Sequence, residues 1–438
     1  MTARAGASGR TPAGENEAGR VETTTLASGL RIVTERMEGA ETAAVAVHVA
    51  VGSRNESAAE HGLSHLIEHM AFKGTKRRDA RAIAAEIEEA GGDLNAETAS
   101  EHTAYLARLL PGEVSCALDI FADILTESLF DPHELEREKN VILQEIAAVA
   151  DDPDDLVMEL MDKAAFPDQP LGRPILGTKR TVGALDARAI RAYLDRFYGA
   201  NSLIVSAAGA VEHAEIVACA ERLFAGLAQV APPAPEPALY RGGEAKSRHG
   251  AEQANIVIAF EGVGHRDPDN CAAHVFCGAL GGGMSSRLFQ EVRERRGLAY
   301  SIDAFNWSYD DTGLFGLQAA SDPRDAGELV RVAMDCLASA VEDLGEAELR
   351  RAKAQAKVSL LATFESVPAR GNQIARQTAI FGRVLARSEI IGEIDGLSLA
   401  DMRAIGRRLL SSAPTLATVG PTGRGLTADR IAERLRTG

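Results

Sequence analysis

Between residues 231 and 238 the chain reads APPAPEPA, four prolines in eight positions. Proline fixes φ and donates no backbone hydrogen bond, so this run can continue neither a helix nor a central strand and favours extended backbone. It divides the 438 residues into a flexible tail (1–20), a first segment (21–230), the linker (231–238) and a second segment (239–438). Each long segment has the length of a single domain.

The two segments repeat one pattern. In the first, AAVAVHVAVGSR (43–54) alternates like a strand, and a helix over about 58–72 follows. A second helix reaches Ala90, then come a Gly-rich turn, a strand pair ending at ARLLP and an amphipathic helix over 113–128. In the second, NIVIAFEGVG (255–264) reads as the strand, followed by helices near 268–280 and 284–295, strands through LFGLQAASDP and a helix over 325–342. The expected fold class is α+β, one unit duplicated across a linker, with any binding cleft between the halves.

Composition narrows the function. Lys+Arg 47 against Asp+Glu 63 gives −16, which repels a nucleic-acid backbone or an anionic membrane, and no basic cluster offsets it. Five cysteines without a C-x-x-C spacing suit neither a disulfide framework nor a thiolate zinc cage, so a reducing compartment is expected. The longest apolar run, TAAVAVHVAV at 42–51, is broken by His48 and is about half the length a membrane span needs. The first twenty residues lack the apolar region of a secretory signal, which favours the cytoplasm. GALGGGMSS (278–286) has no Gly-Lys-Ser/Thr ending and is not read as a phosphate loop.

The chemistry concentrates in HGLSHLIEHMAFKGT (61–75). His65 and His69, at i and i+4, rise from one helix face about 6 Å apart, a suitable bite for one zinc ion, and Glu68 projects beside them. This His-x-x-Glu-His order inverts the His-Glu-x-x-His zinc-peptidase motif. Zinc held there would polarise a carbonyl and acidify bound water, and Glu68 would move the proton from that water to the leaving amine.

A third ligand is found further along. Asp131-Pro132 reads as an N-cap and first helical residue, opening a helix to about 150. Within it Glu145 interrupts an apolar run, and a carboxylate there needs a partner. Glu138 lies seven residues earlier on nearly the same face, in the charged stretch ELEREK; it reads as a surface charge or as a group orienting a histidine. His61 extends the i, i+4 ladder, but roughly 12 Å of axial rise separates it from His69, so it is read as exposed rather than ligating. His102, His249, His265 and His274 have no distinguishing spacing.

These segments resemble the pitrilysin-like, inverted-motif zinc peptidases, in particular the branch of the mitochondrial processing peptidase β subunit and its bacterial relatives. The resemblance is carried by SGLRIVTE (28–35), GSRNE (52–56), HGLSHLIEHMAFKGT, GGDLNAETASEHTAY (91–105), ELEREKNVILQEIA, QPLGRPILGT (169–178) and GGGMSSRLFQEVRERRGLAYSI (281–302). It implies two homologous α/β-roll domains of the processing-peptidase-like metallohydrolase fold. It further implies one Zn²⁺ per chain on His65, His69 and Glu145, with Glu68 as base and Glu138 supporting a ligand. Asn95 and Ala96 would face the substrate backbone on an edge strand, and Phe72 would shape an apolar pocket. Arg293 and Tyr300 would hold the substrate from the second half, and Asp155 and Glu159 would hold basic substrate residues.

The expectation is therefore a zinc endopeptidase cutting extended or unfolded, presequence-like or basic peptides inside a closed cavity. Since the metal site and the Arg/Tyr pair share one chain, a homodimer is the expected assembly. The alternatives are a non-catalytic partner subunit and a maturase for one precursor peptide.

Overall fold

The computed structural model of the protein describes residues 20–248, 251–422 and 425–437. The tail 1–19 and His249 lie outside the described residues. The first half runs β1 (Arg20–Thr25), β2 (Arg31–Arg36), β3 (Ala43–Val49), α1 (Leu63–Ala71), α2 (Ala80–Glu89), β4 (Asp93–Thr98), β5 (Thr103–Leu109), α3 (Val114–Thr126), α4 (Pro132–Asp151), α5 (Pro153–Ala165), α6 (Lys179–Ala184), α7 (Ala187–Phe197), β6 (Leu203–Gly209) and α8 (His213–Leu223). The second runs β7 (Gly243–Ser247), β8 (Ala254–Glu261), α9 (Asn270–Gly281), β9 (Ser301–Ser308), β10 (Gly313–Ser321), α10 (Ala326–Asp343), α11 (Glu346–Glu365), α12 (Val367–Phe381), α13 (Arg387–Gly396), α14 (Leu399–Leu409), β11 (Thr415–Val419) and α15 (Ala428–Thr437).

The duplication read from the sequence is present in the topology. The first sheet has the order β1-β2-β6-β3-β5-β4 and the second β7-β11-β8-β10-β9. Setting β1 aside, the two orders match strand for strand, and in each sheet the corresponding pair, β2–β6 and β7–β11, is parallel while the remaining pairs are antiparallel. Each half buries its own helices against one sheet face, in the first half α1, α3 and α7 and in the second α9, α10 and α14.

The opposite faces are covered by exchange. Helix α5 of the first half places Val157, Met161 and Ala165 against Val257, Ala259 and Val419 of the second sheet. Helix α12 of the second half places Ile374 and Ala375 against Val33 and Ile204 of the first. Beside that contact Arg370 donates to Glu35 at 2.6 Å with both side chains buried. The residues between α8 and β7, which include the proline run, form no helix or strand.

Several sequence expectations need correction. The first helix begins at Leu63 rather than 58, because Gly62 sits at φ 94°, outside the helical region. The first strand ends at Val49, and Ser53–Asn55 form a single 3₁₀ turn. The helix expected over 284–295 contains a π-helical turn, Phe289–Glu294, which closes at Gly297 with φ 63°. His61 is 6% exposed, against the expectation of exposure, and its Nε2 lies 2.6 Å from the Pro174 carbonyl.

Candidate metal centre

Helix α1 presents two faces. Leu63, Leu66, Ile67 and Met70 enter the core, and that requirement turns His65, Glu68 and His69 to the opposite side. Its start is fixed by Glu56, whose carboxylate accepts from Gly62 N at 2.8 Å and Ser64 N at 2.6 Å. A Cβ on Gly62 would meet the Leu176 carbonyl at 2.8 Å, so glycine is required there by space as well as by φ. Helix α4 opens as read, with Pro132 in its first turn and the Asp131 side chain accepting from His133 N and Glu134 N. Its Leu135 and Ile142 join the core, and Glu138 and Glu145 extend towards α1.

The two helices bring His65, His69 and Glu145 together, with one ligand atom from each within 4.8 Å of the others. Glu145 Oε2 lies 3.7 Å from His65 Nε2 and 3.6 Å from His69 Nε2. A tetrahedral zinc ion about 2.1 Å from each donor needs donors roughly 3.4 Å apart; Glu145 stands close to that distance from both histidines, and rotation of the side chains within the 4.8 Å cluster would bring all three donors onto one ion. Glu145 Oε2 is buried without a hydrogen-bond partner, a costly state for a carboxylate that a cation would relieve. His69 Nδ1 lies 3.1 Å from Glu138 Oε2; since the carboxylate can only accept, the proton sits on Nδ1 and Nε2 is left free to ligate. Burial, then the neighbouring His69, lowers the His65 pKa to about 4, so its imidazole is neutral as a ligand must be. The residues present fit a zinc ion.

Around this group, Glu68 accepts from Thr98 Oγ1 at 2.5 Å, and burial raises its carboxyl above the usual range. Glu138 is 6% exposed and also pairs with Lys73 Nζ at 2.8 Å, so it is buried beside His69 rather than a surface charge. Phe72 follows α1, packs near the Tyr105 ring and, with Glu68, His69, Asn95 and Ala96, lines a cavity of about 300 Å³. Asn95 and Ala96 lie on β4, the edge strand of the sheet, where the Asn95 side chain accepts from Ala96 N at 2.9 Å.

The other candidate residues have contacts of their own. Arg293 stacks its guanidinium 4.9 Å from the centre of the Tyr300 ring, and Tyr300 is 82% exposed; neither makes a hydrogen bond or ion pair with the α1–α4 group. Asp155 and Glu159 are on α5, where burial and then Asp155 raise the Glu159 carboxyl. The next acid on that face, Asp162, is raised to about 8 by burial and then by Glu159. Sequence reasoning missed Glu56, Thr98 and Lys73. Glu56 precedes the helix it caps by seven residues, too far for a capping pattern, and the Thr98–Glu68 contact spans thirty positions.

Known proteins resemble this chain in sequence and in fold. The family model described as insulinase, peptidase family M16, matches residues 31–179, and the model of the M16 inactive domain matches 184–356. An uncharacterized zinc protease of Streptomyces coelicolor is 37% identical over 93% of this chain and 91% of its own length. One from Bacillus subtilis is 33% identical over 91% and 98%. A probable mitochondrial-processing peptidase β subunit of Arabidopsis thaliana is 35% identical over 91% and 78%. Among solved structures, an M16 inactive-domain protein of Pseudomonas fluorescens superposes with a TM-score of 0.86 at 21% identity, covering 92% of this chain and 98% of that one, which speaks for the fold. The chain belongs to peptidase family M16, the pitrilysin-like zinc peptidases.

Proposed function

We propose that the protein is a zinc-dependent endopeptidase for extended peptides, with His65, His69 and Glu145 holding the metal and Glu68 moving the proton. The observation that carries this reading is the convergence of two imidazoles and an unpartnered carboxylate from separate helices, with a second carboxylate one residue from a ligand. When bound, zinc supplies a Lewis acid that polarises the scissile carbonyl and acidifies water. Glu68 takes the proton of the attacking water and returns it to the leaving amine, and a carboxyl raised by burial suits both steps. Thr98 holds the Glu68 Oε2 in place, and Glu138 holds the His69 ring.

The edge strand β4 supports strand addition as the binding mode. Peptide main chain would replace the Asn95 side chain at Ala96 N, and Phe72 would receive an apolar side chain. The acids Asp155 and Glu159 on α5 support a preference for basic, presequence-like peptides, with Arg293 and Tyr300 clamping from the second half. A closed cavity in a homodimer would limit substrates to unfolded chains. A peptide-library digest read by mass spectrometry tests the reading: chelator-sensitive internal cleavage is expected, and a library left intact by the zinc-loaded protein would contradict it.

A further inference from the structure

Away from the zinc group, a cavity of about 590 Å³ opens where the halves meet, between β3 and the β4–β5 turn on one side and α9, β9 and α12 on the other. Polar atoms in its wall lack partners. His48 is 2% exposed, and its Nε2 is buried with no hydrogen bond of ordinary geometry, the Asn372 side chain lying near the ring. Asn306 has both amide atoms, Nδ2 and Oδ1, in the same state. Buried polar atoms are nearly always paired, so three unpaired ones on one cavity point to a ligand that pairs them.

Charge selects its chemistry. The acids in the wall are already engaged: Glu101 accepts from Arg54 at 2.6 Å and Asp310 accepts from Arg266 at 2.8 Å. Burial, the larger cause for each, lowers the His48 pKa to about 3 and that of His265 to about 4, so both rings are neutral. Arg376 is exposed at the wall and has no ion pair among the described residues. A cation here would meet Arg376. Among the described residues, three metal donors converge only at His65, His69 and Glu145. Ile175, Trp307 and Ile380 add an apolar side.

We propose that this cavity takes a carboxylate of the bound peptide, with Arg376 supplying the charge, Asn306 and His48 the hydrogen bonds, and the apolar side receiving the adjoining side chain. The inference rests on the peptidase reading, and the connection is Thr98, which lines this cavity and also donates to Glu68. A peptide lying along β4 would leave the zinc group and reach this pocket within a few residues. A C-terminal carboxylate and an Asp or Glu side chain offer the same chemistry.

The test is equilibrium binding, by fluorescence anisotropy, of one apolar-ended peptide to the full-length Glu68→Gln chain, as free acid, as amide, and as amide with a glutamate at the penultimate position. The acid is expected to bind about tenfold tighter than the plain amide, the scale of one charge-assisted contact. Arg376→Gln should remove that difference while leaving amide binding and the thermal midpoint unchanged. If the glutamate-bearing amide binds like the acid, a side-chain carboxylate suffices; if it binds like the plain amide, the terminus is read, and either result supports the site. Equal binding of acid and amide, a preference that survives Arg376→Gln, or a second zinc ion lost on His48→Gln would overturn it. Failure of the peptidase reading is distinguishable, because it would appear as no hydrolysis of any peptide by the unaltered chain while the binding comparison still reads out.

Discussion

Replacing Glu138 by alanine separates the zinc group from the fold that carries it. The carboxylate makes two contacts, accepting from His69 Nδ1 at 3.1 Å and pairing with Lys73 at 2.8 Å. Without it the His69 ring keeps its position on α1 but loses the acceptor that fixes its tautomer, and its Nε2 becomes a poorer and less oriented donor. Loss of such a supporting contact weakens metal binding about 10–100-fold, which corresponds to about 1.4–2.7 kcal/mol. The fold should survive, because the Lys73 side chain is 32% exposed and can turn to water. The assay is competition for zinc with a chromogenic chelator at neutral pH, beside a urea melt of the metal-free chain. Lys73→Ala serves as the control and should leave affinity within about threefold, since Glu138 retains its contact to His69. An unchanged zinc affinity in Glu138→Ala, or a loss equalled by Lys73→Ala, would refute the assignment.

Three further outcomes are expected. Arg370→Ala strands the buried Glu35 carboxylate across the two halves and should cost about 3–5 kcal/mol in chemical denaturation, partly recovered by adding Glu35→Gln. Thr98→Val removes the donor to Glu68 without changing shape; kcat should fall about tenfold with KM nearly constant, and Thr98→Ser should restore it. His48, with a pKa of about 3 in the fold against 6.5 when free, refuses a proton that the unfolded chain accepts. Its contribution is therefore full above pH 6.5 and is lost as pH falls towards 3, about 2 kcal/mol by pH 5, and His48→Gln should flatten the thermal midpoint over that range.

What the sequence disclosed follows from the range of the forces involved. The i, i+4 histidines and the Asp131-Pro132 start are local patterns, and Glu145 stood out because a carboxylate inside an apolar run needs a reason. Order within each half was legible because strand and helix periods are local. The exchange of α5 and α12 was not, since a helix that packs on a distant sheet carries the same amphipathic pattern as one that packs on its own. His61 was misread because its burial depends on the Pro174 carbonyl, more than one hundred residues away. His48 appeared only as an interruption in a strand; its place in the cavity depends on β9 and α12 arriving from the other half. The strand at 43–54 was read too long because Val51 is as buried as the strand that precedes it.

Zinc content and peptide hydrolysis of the Glu68→Gln chain, measured on the same preparation, separate metal binding from proton transfer. One zinc ion per chain is expected, as in the unaltered protein, with hydrolysis reduced by at least about a hundredfold. Hydrolysis at the unaltered rate would remove Glu68 from the reaction, and an unaltered chain that takes up no zinc would leave His65, His69 and Glu145 without the role assigned to them.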